Sequence, residues 1–211
     1  LVVLDTVIVR LVFPVLAVGA AIWAESQGMG LLPLLGISGA VAVIAALLVL
    51  DLAIWMQHRL FHAVPFLWRL HRVHHADLDF DVTTGLRFHP VETLLSMAIK
   101  VVVVVVLGAP PVAVFLFEVI LSATALFNHA NSGFGDRAER WLRMIVVTPD
   151  MHRVHHSVFP EETNSNFGFN LPWWDRLFGT YRAQPRAGHD AMTIGIHGHR
   201  DPREVARLDG M

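Results

Sequence analysis

Four long apolar stretches constrain this chain more than any other feature of its sequence. They cover about residues 7–24, 31–56, 91–107 and 112–127, and each approaches or exceeds the roughly 20 residues that a membrane-spanning helix needs. Hydrophobic residues make up 54% of the chain, charged residues only 16%, and the mean hydropathy is +0.51. Such a composition is too apolar for an ordinary soluble domain. The sequence therefore predicts an all-α integral membrane protein that forms one domain over residues 1–211.

The connections between these stretches predict two transmembrane helical hairpins. The polar residues 25–28 join the first two stretches, and the Gly-Ala-Pro-Pro sequence at 108–111 ends the third helix and turns into the fourth. Two hairpins place segments 57–90 and 129–211 on the same side of the membrane, and every histidine lies in these segments. We expect them to form a helical, histidine-rich cap.

The charges indicate which side of the membrane carries the cap. Neither hairpin connection contains Lys or Arg, whereas eight arginines lie with the histidines: Arg59, Arg69, Arg72, Arg87, Arg137, Arg140, Arg143 and Arg153. By the positive-inside tendency, this side is the cytoplasm, either of a bacterial inner membrane or of the endoplasmic reticulum. The sequence begins at Leu1 and not at methionine, which suggests a trimmed record.

Lys100 and Glu118 are charged residues within the second hairpin, where charge is expensive. One interpretation is that they pair with each other or extend to the membrane surface. The other is that they line a path for a substrate. The sequence leaves both interpretations open.

Composition also excludes several kinds of chemistry. The chain has no cysteine, which rules out disulfides, thiol nucleophiles and cysteine-bound iron-sulfur clusters. A net charge of -2 gives no indication of a nucleic-acid surface. The 13 histidines are then the abundant side chains that can bind a metal without carboxylates.

The spacing of the histidines predicts metal binding. The sequence HRVHH occurs at 71–75 and again at 152–156, and HRLFH occupies 58–62. In an α-helix, positions i, i+3 and i+4 share a face, so each copy of HRVHH presents three imidazoles together. The three groups offer eight imidazoles, more than the four to six ligands of one transition-metal ion, which suggests two metals.

Other interpretations of the histidines are solvated side chains, a pH sensor, a non-enzymatic metal carrier or a zinc hydrolase. A zinc peptidase is poorly supported, because its H-E-x-x-H helix needs a glutamate as general base. In this chain arginine follows the first histidine of each group, at Arg59, Arg72 and Arg153.

Several motifs resemble the fatty acid hydroxylase and sterol desaturase superfamily of membrane di-iron oxygenases. They are HRLFH, HRVHH, DLDFDVTTGLRFHPVE, NHAN at 128–131, TPDMHRVHHS and NFGFNLPWWDRLFGTY, which together span about residues 50–182. The resemblance implies nine metal ligands: His58, His62, His71, His74, His75, His129, His152, His155 and His156. Some relatives have a further histidine where this chain has Gly133, which leaves the ligand count of one metal in doubt.

The resemblance also implies the cofactors, substrates and partners. We expect two iron ions, for which zinc is a substitute, and oxygen-dependent hydroxylation or desaturation of a lipid-like substrate from the bilayer. The sequence has no GxGxxG motif and no other nucleotide or flavin site. Electrons must then come from an external donor such as a cytochrome b5-, ferredoxin- or rubredoxin-like protein with its reductase.

Carboxylates near the histidines are candidates to accept the free imidazole N–H groups, as such groups commonly do beside metals. By proximity these are Asp77, Asp79, Asp81, Asp150 and Glu92. Helix capping or ordinary solvation is an equally open interpretation for each. We expect His89 to lie beside the site without binding metal, because Pro90 breaks the helical spacing. His189, His197 and His199 lack the spacing of the other groups, and we expect them to be solvated.

Overall fold

The structure is a computed structural model that describes residues 2–12 and 16–205, and this part of the chain is mostly helical. It contains no strand, only two isolated β-bridges. We number the α-helices α1 (Val2–Val12), α2 (Leu16–Ser26), α3 (Leu31–Leu34), α4 (Gly39–Ala63), α5 (Pro65–His75), α6 (Pro90–Leu107), α7 (Pro111–Asn128), α8 (Gly135–Leu142), α9 (Pro149–His155), α10 (Pro160–Thr163), α11 (Trp173–Leu177) and α12 (Pro202–Val205). A short 3-10 helix, Thr84–Leu86, lies between α5 and α6.

Three of the described helices are long and apolar enough to cross a membrane, namely α4, α6 and α7. The helices predicted over 91–107 and 112–127 are confirmed as α6 and α7, with bounds that differ by one residue. Proline begins both helices, at positions where the missing N–H group costs no helical hydrogen bond.

The first two predicted helices differ from the structure. A single helix over 7–24 is wrong, because Leu16 has a φ of +55°, which no continuous α-helix contains. Instead α1 and α2 occupy this region, and residues 13–15 lie outside the described residues. The helix predicted over 31–56 is also wrong at its start, since Gly36 has a φ of +69° and separates α3 from α4. At its other end α4 continues to Ala63, which places HRLFH on that helix.

The two short connections predicted from the sequence touch each other. A Cβ atom added to Gly30 would lie only 2.2 Å from the Cα atom of Gly108, so the two backbones pack without side chains between them. Gly108 ends α6 in the left-handed conformation, with a φ of +65°, that glycine adopts most easily. The turn between α2 and α3 and the turn between α6 and α7 therefore lie side by side, at the end of α6 and α4 opposite the histidines.

Small residues form much of the buried contact between the long helices. Ala42 and Ala46 of α4, Ala17 and Ala21 of α2, and Ala113 of α7 are at most 2% exposed and belong to one apolar cluster. Small side chains allow helix backbones to approach closely, which is how membrane helices gain packing energy without a hydrophobic driving force. This packing holds α4, α6 and α7 around the cavity described below.

Candidate metal centre

The nine histidines that the resemblance implied as ligands converge at one end of the helix bundle. They form two groups, and in each group every histidine offers one ring nitrogen that lies within 4.8 Å of those offered by the others. The five-histidine group consists of His58, His62, His71, His75 and His155. The four-histidine group consists of His74, His129, His152 and His156. Eight of the nine side chains are buried, and His62 is intermediate.

The two copies of HRVHH divide their histidines between the groups in opposite ways. The first copy gives its first and fifth residues, His71 and His75, to the five-histidine group and its fourth, His74, to the other. The second copy gives its first and fifth residues to the four-histidine group and its fourth, His155, to the five-histidine group. Positions i and i+4 thus serve one group while i+3 serves the other. Each copy contributes to both groups, which explains why the sequence repeats.

Hydrogen bonds fix the orientation of five of these imidazoles. In each case the Nδ1 atom contacts an acceptor, which leaves Nε2 as the nitrogen available to a metal. The contacts are His58 to the Phe167 carbonyl at 2.7 Å, His71 to the Glu92 carboxylate at 2.6 Å, His74 to the Thr84 carbonyl at 3.0 Å, His129 to the Ala125 carbonyl at 2.6 Å and His155 to the Ser165 carbonyl at 2.7 Å.

The remaining imidazole nitrogens fit metal ions. Pairs of Nε2 atoms face each other at 3.0 to 3.2 Å: His58 with His71, His62 with His75, His74 with His129, and His129 with His152. Two nitrogens about 2.1 Å from one ion, at right angles, are about 3 Å apart. Nε2 of His155 and both ring nitrogens of His156 are buried without a hydrogen-bond partner. Buried polar atoms without partners are costly, and a bound metal would satisfy them.

Burial keeps His74, His129, His152, His155 and His156 neutral, which is the form that binds a metal. Desolvation lowers the pKa of His129 to about 4 and that of His155 to about 3. The pKa values of His74, His152 and His156 are also well below the usual range, first because of desolvation and then because of the neighbouring imidazoles. Such a cluster of neutral nitrogens favours transition metals over oxygen-preferring ions such as calcium.

Among the candidate carboxylates, Glu92 is the one that contacts an imidazole. It lies in the first turn of α6, is only 4% exposed, and accepts the hydrogen bond of His71 described above. Its second oxygen, Oε2, is buried without a partner. The anionic carboxylate therefore increases the basicity of a nitrogen in the five-histidine group.

The other candidates have different partners in the structure. Asp77 accepts a hydrogen bond from the Thr84 hydroxyl at 2.9 Å, and Asp81 accepts two from Thr83 at 2.7 Å. Asp150 pairs with an arginine of its own helix at 3.7 Å. Asp79 is exposed. His89 caps α6 by accepting from the Val91 N–H at 3.1 Å. The predicted role of these residues beside the metals stays a prediction, since none contacts an imidazole of either group among the described residues.

Asp175 organises the segment that supplies two of the carbonyl acceptors. It is completely buried and accepts hydrogen bonds from the backbone N–H groups of Phe167 and Gly168 at 2.9 and 2.8 Å. It also accepts from the Trp55 indole at 3.0 Å and from the Thr180 hydroxyl at 2.6 Å. The carboxylate therefore ties the aromatic WDRLFGTY sequence to α4 and to the 166–170 segment. This role had no signal in the sequence beyond the aromatic motif itself.

A cavity of about 390 Å³ extends from the histidines between α4, α6 and α7. His58, His71 and Glu92 lie at one end, and Lys100 and Glu118 lie at the other. Its walls are mostly apolar, with Ile54, Phe61, Leu86, Phe88, Leu121, Ala125, Leu126 and Phe169. Its size falls within the range of small-molecule sites, about 300 to 1,000 Å³. Lys100 and Glu118 pair at 2.7 Å, which confirms the first interpretation of these residues, and they also line the cavity. That the cavity is a path for a substrate stays a prediction.

A second cavity, of about 360 Å³, approaches the five-histidine group from the other side, at His62. The C-terminal segment lines it with His197, which is exposed as the sequence predicted, and with His199, which is half-buried. His189, also predicted to be solvated, is half-buried and both of its ring nitrogens are shielded from solvent. Backbone hydrogen bonds hold this segment against α9, from the Gly195 N–H to the His156 carbonyl at 3.1 Å and from the Val158 N–H to the Thr193 carbonyl at 3.0 Å. The C-terminal segment thus lies beside the second HRVHH sequence, a contact that its own sequence did not indicate.

Comparison with known proteins identifies relatives over much of the chain. The ornithine lipid hydroxylase OlsE of Rhizobium tropici is 35% identical over 74% of this chain and 46% of its own length. Alkylglycerol monooxygenase of Homo sapiens is 27% identical over 66% of this chain and 30% of its own length. Cholesterol 25-hydroxylase of Mus musculus is 32% identical over 68% of this chain and 47% of its own length.

The chain therefore spans less than half the length of these curated relatives. No solved structure matches it. The family model described as fatty acid hydroxylase matches residues 43–180, a range that contains all nine clustered histidines. The chain belongs to the fatty acid hydroxylase family.

Proposed function

We propose that this protein is a membrane-bound di-iron hydroxylase that inserts oxygen into a lipid-like substrate. The observation that carries the proposal is the arrangement of nine imidazoles in two adjacent groups at the inner end of a mostly apolar cavity. One group has five imidazoles and the other four, which suits two transition-metal ions. The named relatives are all lipid hydroxylases or monooxygenases, which favours hydroxylation over desaturation.

Iron fits the five-histidine group better than zinc does. Zinc prefers four ligands in a tetrahedron, whereas the first group offers five nitrogens. The two histidine groups would hold two iron ions, which would supply the activation of dioxygen and the oxidation of a C–H bond. In the overall reaction, one oxygen atom enters the C–H bond as a hydroxyl group, and the other leaves as water with two added electrons and two protons.

The protein residues position the substrate and exclude water. His58 and His71 lie both in the five-histidine group and in the wall of the cavity, so a carbon atom at the inner end would lie beside this group. The surrounding apolar side chains bind hydrocarbon and keep bulk water away. Phe88 stacks on His74 with ring centroids 4.6 Å apart, which holds that imidazole against the wall.

The electrons come from outside residues 1–211, because this sequence has no nucleotide- or flavin-binding motif and no cysteine for an iron-sulfur cluster. We propose a small cytochrome b5-, ferredoxin- or rubredoxin-like donor with its reductase. Three arginines on or beside α8, namely Arg137, Arg140 and Arg143, are candidates for a basic face that contacts such a donor. In the structure Arg143 is buried against Glu139 at 2.6 Å, which leaves Arg137 and Arg140 to contact an acidic donor.

We also propose that the chain crosses the membrane four times, with α1 and α2 together forming the first crossing. The contact between the two turns at Gly30 and Gly108 supports a common side for both turns. The histidine-rich cap then faces the cytoplasm. Cysteines introduced at the exposed positions Gln27 and Arg137 should react with a membrane-impermeant label from opposite sides of the membrane. Labelling of both from one side would contradict this topology.

The first test is metal content, measured by elemental analysis of protein purified from iron-supplied cells. We expect about two irons per chain, and oxygen uptake coupled to lipid hydroxylation when a donor and reductase are added. His74→Ala and His155→Ala should each lower the iron content and abolish activity. His197→Ala is the control, since His197 lies outside both groups and should leave two irons in place. Stoichiometric zinc without iron would instead favour a hydrolase, and metal that is lost to mild chelation would favour a carrier.

A further inference from the structure

The cavity ends in an ion pair that the proposed reaction does not use. Lys100 Nζ and Glu118 Oε1 lie 2.7 Å apart, with side chains 10% and 33% exposed. Lys100 lies eight residues after Glu92 on α6, and both residues line the same cavity. Eight residues of α-helix rise about 12 Å. The ion pair is therefore about 12 Å from the carboxylate that contacts His71.

An ion pair at this depth is unfavourable as a purely structural contact. Removing two charges from water costs several kcal/mol per ion, and apolar residues of similar volume are often as stable or more stable. Ionisable residues within membrane helices most often line a pathway or a binding site. The position of the pair in the wall of the cavity, beside Leu121 and Ser122, gives it contact with whatever fills that cavity.

We propose that Lys100 and Glu118 bind an uncharged hydrogen-bonding group of the lipid substrate, a hydroxyl or an amide, that lies about 12 Å from the carbon to be oxidised. This inference rests on the proposed hydroxylase function and specifies its substrate class. The substrate is an amphiphile whose polar group is held at one end of the cavity while its other end reaches the five-histidine group. A plain hydrocarbon would leave the pair without a ligand.

The chemistry of the pair favours an uncharged group. The two side chains have opposite charges, so the pair is neutral overall and gives little attraction to a single net charge. The ammonium has three N–H donors, of which Glu118 takes one, and the carboxylate has further acceptor sites. A hydroxyl or an amide can accept from Lys100 and donate to Glu118 at the same time.

Polar groups farther along the cavity are consistent with an amphiphile. The Gln57 amide donates to the Ser96 hydroxyl at 2.7 Å, while its Oε1 atom is buried without a partner. Gln57 precedes His58 directly on α4 and lines the cavity. The Oε1 atom of Gln57 lies near the proposed metals, where it can accept a hydrogen bond from the newly formed hydroxyl group.

The cavity opens at the outer surface of the helix bundle. Leu86, Ser122 and Leu126 line it and are also exposed, which places its mouth on the side of α7 that would face lipid. A substrate can therefore enter sideways from the bilayer and need not cross the cap.

The test is a binding comparison on the full chain, loaded with zinc and embedded in lipid nanodiscs so that no turnover occurs. The probes are decan-1-ol and decane, two molecules of similar length of which only one has a hydroxyl, and bound ligand is counted by native mass spectrometry. The variants are Lys100→Met with Glu118→Met, which removes both charges, and Lys100→Glu with Glu118→Lys, which exchanges them. Partitioning of each probe into the bilayer is the same for every variant and cancels in the comparison.

We expect the wild-type protein to bind decan-1-ol more tightly than decane. In the double methionine variant the ratio of the two affinities should fall about tenfold, while the affinity for decane should not change. The magnitude follows because hydrogen bonds to charged groups contribute more than neutral ones. The exchanged pair should restore most of the preference. The proposal is overturned if the double methionine variant keeps the wild-type preference or if the wild-type protein has none. The hydroxylase proposal is tested separately: it fails if the iron-loaded protein forms no oxygen-dependent product.

Discussion

Replacing Glu92 with glutamine should weaken one metal of the pair more than the other. Glu92 accepts a 2.6 Å hydrogen bond from Nδ1 of His71, and His71 belongs to the five-histidine group. Glutamine keeps the size of the side chain and an oxygen at the same place, but it removes the negative charge. Hydrogen bonds to an ionised acceptor are roughly twice as strong as neutral ones. The change therefore lowers the basicity of the imidazole without opening a cavity.

The structure sets the size of the effect. Glu92 is only 4% exposed, so solvent screens its charge little. Mutation of the residue that accepts a hydrogen bond from a metal-binding histidine typically costs 10- to 100-fold in metal affinity. That corresponds to about 1.4 to 2.7 kcal/mol at room temperature. The four-histidine group has no contact with Glu92 among the described residues, so its affinity should change much less.

The assay is an anaerobic titration of metal-free protein with ferrous iron in competition with a chelator of known affinity. Asp81→Asn is the matched control, because Asp81 is also a carboxylate close to the histidines in sequence, yet it contacts Thr83 instead of an imidazole. The wild-type protein and the control should bind two irons with similar affinities. Two equally tight irons in the Glu92→Gln variant, or an equal loss in the control, would refute the reasoning.

Three further changes test other parts of the site. Gly85→Ala should lower metal occupancy of the four-histidine group about tenfold, because the added Cβ atom would lie 2.9 Å from Nδ1 of His129. Its control is Gly133→Ala, whose added Cβ atom has no neighbour within 4 Å, so this variant should keep two irons per chain. Asp175→Asn should lower the free energy of unfolding by about 2 to 4 kcal/mol, since this buried carboxylate accepts four hydrogen bonds; thermal unfolding in detergent measures it, and the exposed Asp136→Asn should unfold like wild type. The metal-free protein should lose stability as the pH falls from about 6.5 toward 4. Burial lowers the pKa of His129 to about 4, so in this range the imidazole binds a proton only in the unfolded chain. A melting temperature that does not fall with pH would contradict this.

The sequence predicted those structural features that depend only on neighbouring residues. The spacing within HRLFH and HRVHH required only that each segment be helical, and α4, α5 and α9 confirm that. The Gly-Ala-Pro-Pro turn predicted the hairpin of α6 and α7 for the same reason, since proline and glycine act on the backbone next to them. Periodicity alone also placed the imidazoles on shared faces.

Features that depend on distant parts of the chain were beyond such reasoning. The break at Gly36 divides an apolar run that reads as continuous, because a single glycine inside an apolar run carries only a weak signal. Four of the five acceptors that orient the imidazoles are backbone carbonyls, which every residue has. Among the carboxylates, the one that contacts an imidazole is 21 residues from its partner, while the nearer Asp77 and Asp81 stabilise the 77–84 turn.

The two HRVHH sequences divide their histidines between the groups in opposite ways, and this has a consequence for the distance between the two proposed metals. His74 and His75 are neighbours in the chain and belong to different groups, and so do His155 and His156. One peptide bond in each copy therefore joins the two groups, so their separation is set by local helix geometry and not by how the long helices pack. Lipid-induced tilting of the bundle can move the whole centre relative to the cavity, but it should leave the spacing of the two ions nearly constant. Spectroscopic coupling between the ions should accordingly be the same in thin and thick bilayers.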